Sequence, residues 1–315
     1  MKQIFAGFFI CVFGLACNSN QCVDVSSDYT SVADLGNSTF KNYSGGLYPN
    51  GSNTIPADYL KNGIAISKKI LPLDAQGNNN PSEGKIGFLV LGFSTAAMTG
   101  SVFKWIYHRK YPDSPLCISI GAQGGMDINA MLDSNTLYWN NVDQALSDDA
   151  LTLLQVQIIW ISTGDLQSSS LDFPEQSFQL AEKYSLLMPI LAAQFPNLKI
   201  VFISDRTFAG YINEKSLQAL AEPTAYYSSW GVKFFIEKQI GDTTNYMNNH
   251  TPFADWGPTL WTNGIKGNKQ QYTWNCDDAG AGGIHPTAKG RSKEAIKLFY
   301  FFSQHPYTKQ FFISQ

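Results

Sequence analysis

The chain has few charged residues and lacks long apolar runs. Of its 315 residues, 15% are Asp, Glu, Lys or Arg, against about 25% in an average soluble protein. A formal net charge of -3 and the lack of a Lys/Arg stripe exclude a strongly basic nucleic-acid-binding protein. No apolar segment reaches the roughly 18 residues that a membrane-spanning helix needs. Hydrophobic residues make up 44% of the chain and aromatic residues 14%, so a wholly disordered chain is excluded as well.

Cysteine and histidine are also scarce. The five cysteines and four histidines show no spacing typical of a zinc site. The sequence assigns no disulfide pairs among the cysteines, which are Cys11, Cys17, Cys22, Cys117 and Cys276. Much of the remaining chain is Asn, Ser, Thr, Gly and Tyr. This composition is typical of extracytoplasmic proteins that handle neutral ligands such as sugars.

The N-terminus resembles an export signal. Lys2 precedes an apolar run from Ile4 to Ala16. One positive charge, an apolar segment and a final small residue are the layout of a secretory signal peptide. We therefore predict a signal segment over residues 1–16 and an extracytoplasmic location, whether periplasmic, secreted or at the cell surface. The sequence Gly14-Leu15-Ala16-Cys17 also approximates a lipoprotein box, in which a lipid on Cys17 would attach the protein to a membrane.

Composition divides the rest of the chain in two. Residues 17–82 are rich in Asn, Gly, Ser and Pro with little periodicity, which predicts an irregular N-terminal arm that wraps the domain. Residues 83–315 alternate apolar strands with helices, which predicts an α/β domain with a mainly parallel sheet covered on both faces. Strands are predicted at 85–92, 116–121, 156–162 and 198–204, and helices at 95–109, 128–132, 140–154, 174–195, 222–239 and 286–302.

Chemically reactive residues follow the predicted strands, and parallel sheets place their working residues at the carboxyl ends of strands. Ser94 follows the first strand at a helix N-terminus, where free N–H groups stabilise an oxyanion, although serine there is also a common N-cap. Gly124 and Gly125 lie in a glycine-rich turn that either binds an oxyanion or forms only a tight turn. His285, held between a glycine-rich loop and Pro286, is a candidate general base or an exposed loop histidine.

The order of these residues resembles the SGNH (GDSL-type) hydrolase superfamily. Its pattern is a serine directly after the first strand, a glycine after the second, a polar turn after the third and a late His-Pro before the last helix. Over roughly residues 85–303 the chain is also similar to an uncharacterised, exported bacterial branch of that superfamily. The similar segments are 121–125, 155–157, 195–197, 204–211, 222–226, 256–258 and 283–287.

The resemblance implies a three-layer α/β/α sandwich with a flavodoxin-like sheet and a serine esterase mechanism. Ser94 would attack an ester carbonyl, and His285 would take its proton and return it to the leaving alcohol. The oxyanion would be held by the N–H of Ser94 and by that of Gly124 or Gly125. Such enzymes need no metal or organic cofactor.

Two departures from the family concern the serine turn and the oxyanion. The family usually has Asp before the serine, where Phe93 stands here. Its third block usually supplies an Asn whose side chain donates to the oxyanion, and this chain has Gly164 at that position. Thr163 or Gln123 would then be the substitute donor, since losing one donor costs on the order of 10² to 10³ in rate.

A third departure concerns the acid that orients the histidine. The family places this acid three residues before the histidine, where the chain has Gly282. Asp277 and Asp278 are near enough in sequence to reach the imidazole if the glycine-rich loop folds back. The alternative is a Ser-His dyad that a backbone carbonyl steadies.

We therefore predict an exported SGNH-type serine esterase that deacylates a carbohydrate or another neutral ester. Its predicted substrate-binding residues are Gln123, Arg206, Trp256 and Trp261, the tryptophans because aromatic rings near a site stack on sugar faces. The expected partner is a small-molecule or polysaccharide ester, with no nucleic acid and no protein partner. Two alternatives stay open: a catalytically silent surface or glycan-binding protein of the same fold, and a lipase or thioesterase.

Overall fold

The computed structural model describes residues 23–133, 137–212, 215–248 and 250–313. The predicted signal segment, Cys17 and the possible lipid attachment lie outside these residues. The strands are β1 Thr39–Phe40, β2 Tyr43–Ser44, β3 Ile86–Gly92, β4 Leu116–Ile120, β5 Val156–Ser162, β6 Ile200–Ser204 and β7 Phe253–Trp256. The helices are α1 Val32–Leu35, α2 Ala57–Ser67, α3 Ser94–Lys110, α4 Ile128–Leu132, α5 Leu137–Asp148, α6 Glu175–Gln194, α7 Thr224–Gly241, α8 Thr244–Met247, α9 Ala288–Gln304 and α10 Lys309–Phe312. None of the helices in these ranges is both long enough and apolar enough to cross a bilayer.

Five parallel strands form the central sheet in the order β4-β3-β5-β6-β7. In chain order this is the 2-1-3-4-5 arrangement of flavodoxin-like sheets. Strands β3, β5 and β6 are buried at every position, because helices cover both faces of the sheet. Burial on both faces is why these strands are near-continuous apolar runs in the sequence.

The two faces of the sheet are covered by different helices. Alternate side chains of the strands, such as Phe88 and Trp160, pack on one face against α3 and α9. The intervening side chains, such as Leu89 and Ile161, pack on the other face against α5, α6 and α7. The predicted three-layer α/β/α sandwich with a flavodoxin-like parallel sheet is therefore confirmed.

Strand β7 and helix α2 are two of the elements that were not predicted from the sequence. Strand β7 lies in a stretch that the sequence indicates as loop, and it pairs with β6 from Ile200–Phe253 to Ile203–Trp256. It spans four residues, one of them Asp255, so it lacks the apolar run that marks a buried strand. Helix α2 lies in the N-terminal arm, so the prediction of an irregular arm is wrong over 57–67. The division of the chain at residue 82 stays a prediction.

The arm packs closely on the edge of the sheet. The Tyr48 hydroxyl donates to Asp255 on β7 over 2.8 Å, and Tyr59 of α2 is buried against the same edge. The Asp255 carboxyl is fully buried, and this burial raises its pKa from the ordinary value of 3.8 to about 7. The carboxyl thus carries a proton in the folded protein at pH values where it is ionised in the unfolded chain.

The Asp255 carboxyl makes stability depend on pH. Because its pKa is higher in the folded state, its contribution to stability is greatest below about pH 4 and is lost as pH rises to about 7. We expect the stability difference between wild type and Asp255→Asn to shift against wild type by up to about 1.4 kcal/mol per pH unit in that window. Chemical denaturation measures it, with the exposed Asp58→Asn as control. Parallel pH profiles for wild type and Asp255→Asn would contradict the prediction.

Candidate active site

Ser94 and His285 meet at the carboxyl edge of the sheet. The Ser94 Oγ lies 2.8 Å from His285 Nε2, which is hydrogen-bonding distance for a nucleophile and its base. Ser94 is partly exposed and His285 is exposed, so both are open to a substrate. The structure thus brings together the two residues that the sequence separates by 191 positions.

A sharp turn places Ser94 at the start of α3. Strand β3 ends at Gly92, whose φ is +130°. A Cβ at Gly92 would lie 2.0 Å from the carbonyl oxygen of Ser162, so a residue with a side chain does not fit. Phe93 continues in extended conformation, and the helix begins at the serine. The hydroxyl therefore lies at a helix N-terminus, where backbone N–H groups favour negative charge.

The backbone around His285 is fixed from both sides. Its carbonyl accepts a hydrogen bond from the Gly280 N–H over 2.7 Å. Thr287 caps α9 by accepting from the Gly290 N–H, and its own N–H donates to the Asp278 carbonyl over 2.9 Å. The position of His285 is thus set by the hydrogen-bonded loop before it and by the capped N-terminus of α9 after it.

The predicted acids do not reach the histidine. The Asp278 carboxylate is buried and accepts from the Asn275 N–H and from Lys293 Nζ, at 2.9 and 2.7 Å. Asp277 is exposed, and it pairs with Lys289 Nζ at 2.6 Å. Among the described residues, Ser94 is the one side chain bonded to the His285 ring. The prediction of Asp277 or Asp278 as the orienting acid is therefore wrong in geometry, since lysines of α9 attract both carboxylates.

This geometry predicts mild effects of removing either acid. We expect Asp277→Asn to leave kcat within about twofold and Asp278→Asn within about tenfold, because a true orienting acid contributes on the order of 10⁴. Asp278→Asn also breaks a buried ion pair, so its thermal stability is measured beside its kcat. A loss near 10⁴ in a folded variant would show that the carboxylate turns to the imidazole during catalysis.

The glycine-rich turn after β4 lies beside the serine. A Cβ at Gly124 would lie 3.8 Å from the Ser94 Cβ, and Gly125, with a φ of +72°, lines the same cleft. The Gln123 N–H donates to the Gly92 carbonyl over 3.0 Å, which ties the turn to β3. In the described part of the chain the N–H groups of Gly124 and Gly125 donate to no backbone carbonyl. They are therefore free to donate to a ligand, and their role as oxyanion donors stays a prediction.

The proposed substitute donors point elsewhere. Thr163 is fully buried, and its hydroxyl lies 3.5 Å from the Gly164 carbonyl. Gln123 donates to the carbonyls of Gly121 and Tyr138 and accepts from Asn141. Its side chain therefore holds the turn to α5. Neither prediction, Thr163 as oxyanion donor or Gln123 as substrate contact, fits this geometry.

Phe93 and Arg206 fill the space where the family would place its Asn. A Cβ at Gly164 would lie 3.0 Å from Arg206 Cδ and 3.3 Å from Phe93 Cε2. The Arg206 guanidinium lies over the Phe93 ring, with its carbon 5.6 Å from the ring centroid. Two departures from the family pattern, Phe93 and Gly164, are thus linked through one arginine.

The cleft beside Ser94 is mostly apolar and encloses about 680 Å³, the open solvent at its mouth included. Its side-chain walls come from Phe93 after β3, from the loops that follow β5 and β6, and from the segment around His285. The apolar wall residues are Phe93, Leu166, Phe208, Ala209, Ile212, Leu220, Trp274, Ala279, Ile284 and Pro286. Such walls suit the acyl chain or another apolar part of a ligand.

The two predicted tryptophans lie outside the cleft. Trp256 is buried on β7 and donates to the Leu47 carbonyl. Trp261 is buried and donates to the Glu222 carboxylate over 2.9 Å. The prediction that they bind substrate is wrong, and Trp274 is the tryptophan that lines the cleft. Sequence position alone did not separate these rings, since all three lie in the stretch before His285.

The buried carboxylate of Glu294 connects the helices that carry the two site residues. Glu294 of α9 accepts hydrogen bonds from Thr99 of α3 and from Thr207 of the cleft wall. Burial raises the pKa of the Glu294 carboxyl. These bonds tie the serine helix to the histidine helix, and they place no carboxylate against the imidazole.

Comparison with known proteins gives similarity of fold. No family model and no curated protein matches the chain. The solved structures that match include a candidate SGNH hydrolase from Slackia heliotrinireducens, at 13% identity over 69% of this chain and 99% of that chain, with a TM-score of 0.35. An alpha/beta hydrolase from the metagenome of Lake Arreo, Spain, matches at 13% identity over 68% and 93%, with a TM-score of 0.38. The periplasmic domain of a Salmonella Paratyphi A lipopolysaccharide acetyltransferase matches at 14% identity over 76% and 94%, with a TM-score of 0.37.

A candidate SGNH hydrolase is thus among the matching structures. At these identities and TM-scores the matches assign no role to any residue of this chain. The roles of individual residues therefore rest on the geometry of the site.

Proposed function

We propose that the chain is a serine esterase in which Ser94 is the nucleophile and His285 the general base. The observation that carries the proposal is the 2.8 Å contact between Ser94 Oγ and His285 Nε2 at the mouth of an apolar cleft. A serine that only capped its helix would not need a histidine ring at its hydroxyl.

In the first step Ser94 becomes acylated. His285 Nε2 accepts the hydroxyl proton, which requires the tautomer with its proton on Nδ1. Oγ bonds to the ester carbonyl carbon, and the carbonyl oxygen becomes an oxyanion. The N–H groups of Ser94 and of Gly124 or Gly125 would stabilise this charge. The carbon–oxygen bond then breaks, and His285 returns the proton to the leaving alcohol.

In the second step water releases the acyl group. His285 takes a proton from a water molecule, whose oxygen bonds to the acyl carbon. The intermediate collapses, Ser94 recovers its proton from His285, and the carboxylic acid leaves. Both steps use the same base and the same oxyanion donors, so no further protein group is required.

For the substrate, we propose an ester with a carbohydrate or similar alcohol. The low charge content and the predicted export support this proposal. The tryptophans predicted to stack on sugars lie outside the cleft, which leaves Trp274 as the tryptophan in its wall. The apolar walls favour, as a second candidate, a lipase or thioesterase that takes a long acyl chain.

We also propose that the protein is exported. The apolar N-terminal segment supports export, and so does Cys276, which is disulfide-bonded, because disulfides persist in oxidising compartments. Attachment through a lipid on Cys17 is a proposal on the sequence alone. Labelling cells with radioactive palmitate, with Cys17→Ser as control, tests it.

Turnover of p-nitrophenyl esters of increasing chain length tests the proposed function. We expect measurable kcat/KM for the acetate and butyrate and a lower value for the octanoate. An octanoate value more than about tenfold above the acetate value would favour the lipase or thioesterase. Lack of turnover of all three esters would favour a catalytically silent binding protein.

A further inference from the structure

Among the described residues, Arg206 is the one Asp, Glu, Lys or Arg side chain that lines the cleft. It follows β6 and lies partly buried between the cleft and the core. One of its terminal nitrogens, Nη2, donates to the Leu220 carbonyl over 2.6 Å. A guanidinium has several more N–H donors, and no other hydrogen bond from this side chain is found within the described part of the chain.

The guanidinium has no carboxylate partner in the described ranges, since the ion pairs there involve other side chains. Among the acidic side chains, Glu222 exerts the largest electrostatic effect on the pKa of the Arg206 guanidinium. That carboxylate is already occupied, because it accepts from the N–H groups of Ala209 and Tyr226 and from the Trp261 indole. Burial lowers the pKa of Arg206 to about 10, which reflects the cost of holding a cation among apolar walls.

A partly buried cation that forms no salt bridge is costly unless a ligand brings a negative charge into contact with it. The planar guanidinium matches a carboxylate, which it binds through two parallel hydrogen bonds. Phe93 supports the flat face of the group, and the Leu220 carbonyl holds one corner. The arginine is thus positioned before a ligand arrives.

We propose that Arg206 binds a carboxylate of the substrate, so that the esters favoured by this site are anionic. The proposal rests on the esterase function proposed above and replaces the expectation of a neutral ester. The carboxylate belongs either to the acyl group or to the alcohol, and both placements use the same chemistry.

Paired substrates that differ in one charge test the proposal. For the acyl side, the p-nitrophenyl half ester of adipic acid is compared with its terminal amide. For the alcohol side, meta-acetoxybenzoate is compared with meta-acetoxybenzamide. We expect kcat/KM of wild type to be at least about tenfold higher for the anion in one pair, the range for a hydrogen bond to a charged group. In Arg206→Gln that ratio should fall to about one.

Two variants make the result specific. Arg206→Lys keeps the charge without the planar fork, so we expect it to retain part of the preference. Arg291→Gln removes a positive charge from a neighbouring groove outside the cleft, and its ratio should match that of wild type. Circular dichroism and thermal unfolding confirm that each variant is folded.

The outcomes separate the two claims. Equal turnover of anion and amide by wild type in both pairs would overturn the carboxylate proposal and leave the esterase intact. An equal loss on charged and neutral esters in a folded Arg206→Gln would overturn it in favour of a role at the oxyanion. Lack of turnover of all four esters would overturn the proposed function and this inference together.

Discussion

Ser94→Ala is expected to lower kcat/KM on esters by at least about 10³-fold. In a complete triad the loss of the serine costs on the order of 10⁶ in kcat. The smaller figure is a lower limit, because no carboxylate of the described residues contacts His285 and the wild-type rate is correspondingly lower. The oxyanion donors remain in the variant, so a residual rate above that of water is expected.

A matched control lies on the same helix. Ser101 is exposed on α3, and its hydroxyl donates to the Ala97 carbonyl over 2.7 Å. Ser101→Ala should keep the wild-type kcat/KM within about twofold, since surface substitutions away from a site have small effects. Equal activity of Ser94→Ala and Ser101→Ala would contradict the assignment of the nucleophile.

His285→Ala is expected to cause a loss of similar size. Without the imidazole, the Ser94 proton has no acceptor, and the leaving alcohol has no donor. Residues that act as a unit are not additive, so the double variant Ser94→Ala/His285→Ala should be no slower than either single variant. Steady-state kinetics of the three variants measures this, with the exposed loop residue His250→Ala as control.

A rescue experiment separates a base from a structural histidine. Added imidazole should restore part of the rate of His285→Ala and none of the rate of Ser94→Ala. Additive losses, or no response to imidazole in a folded variant, would contradict the role of His285 as the base.

Much of the fold could be predicted because the sheet is buried on both faces. Strands β3, β5 and β6 gave apolar runs, and the helices between them gave the α/β alternation. Strand β7 was missed because Asp255 interrupts it. Its buried carboxyl accepts hydrogen bonds from the N–H of Trp256 and from Tyr48, which lies 207 positions away in the arm.

The positions of site residues could be predicted where the residue lies at the end of a strand or the start of a helix. Ser94 begins α3 and His285 precedes α9, so their positions follow from the order of strands and helices. The direction of a carboxylate does not follow in this way. Asp278 is seven residues from His285 in the chain, yet its side chain faces Lys293.

The sequence also did not show which tryptophan side chains are exposed to the cleft. Trp256 and Trp261 are hydrogen-bonded inside the protein by Leu47 and Glu222, partners that are distant in the chain. The sequence analysis predicted Arg206 as a substrate-binding residue, and this residue lines the cleft. It did not reveal that Phe93 and Gly164, two departures from the family pattern, are where this arginine packs.

Mass spectrometry of the protein after treatment with a fluorophosphonate tests the central claim most directly. The reagent bonds to a serine that a neighbouring base activates, and the tryptic peptide 86–104 contains both Ser94 and the control Ser101. We expect one adduct per chain, located on Ser94 by fragment ions and lost in both Ser94→Ala and His285→Ala. An unmodified wild-type protein, or an adduct on another residue, would contradict it.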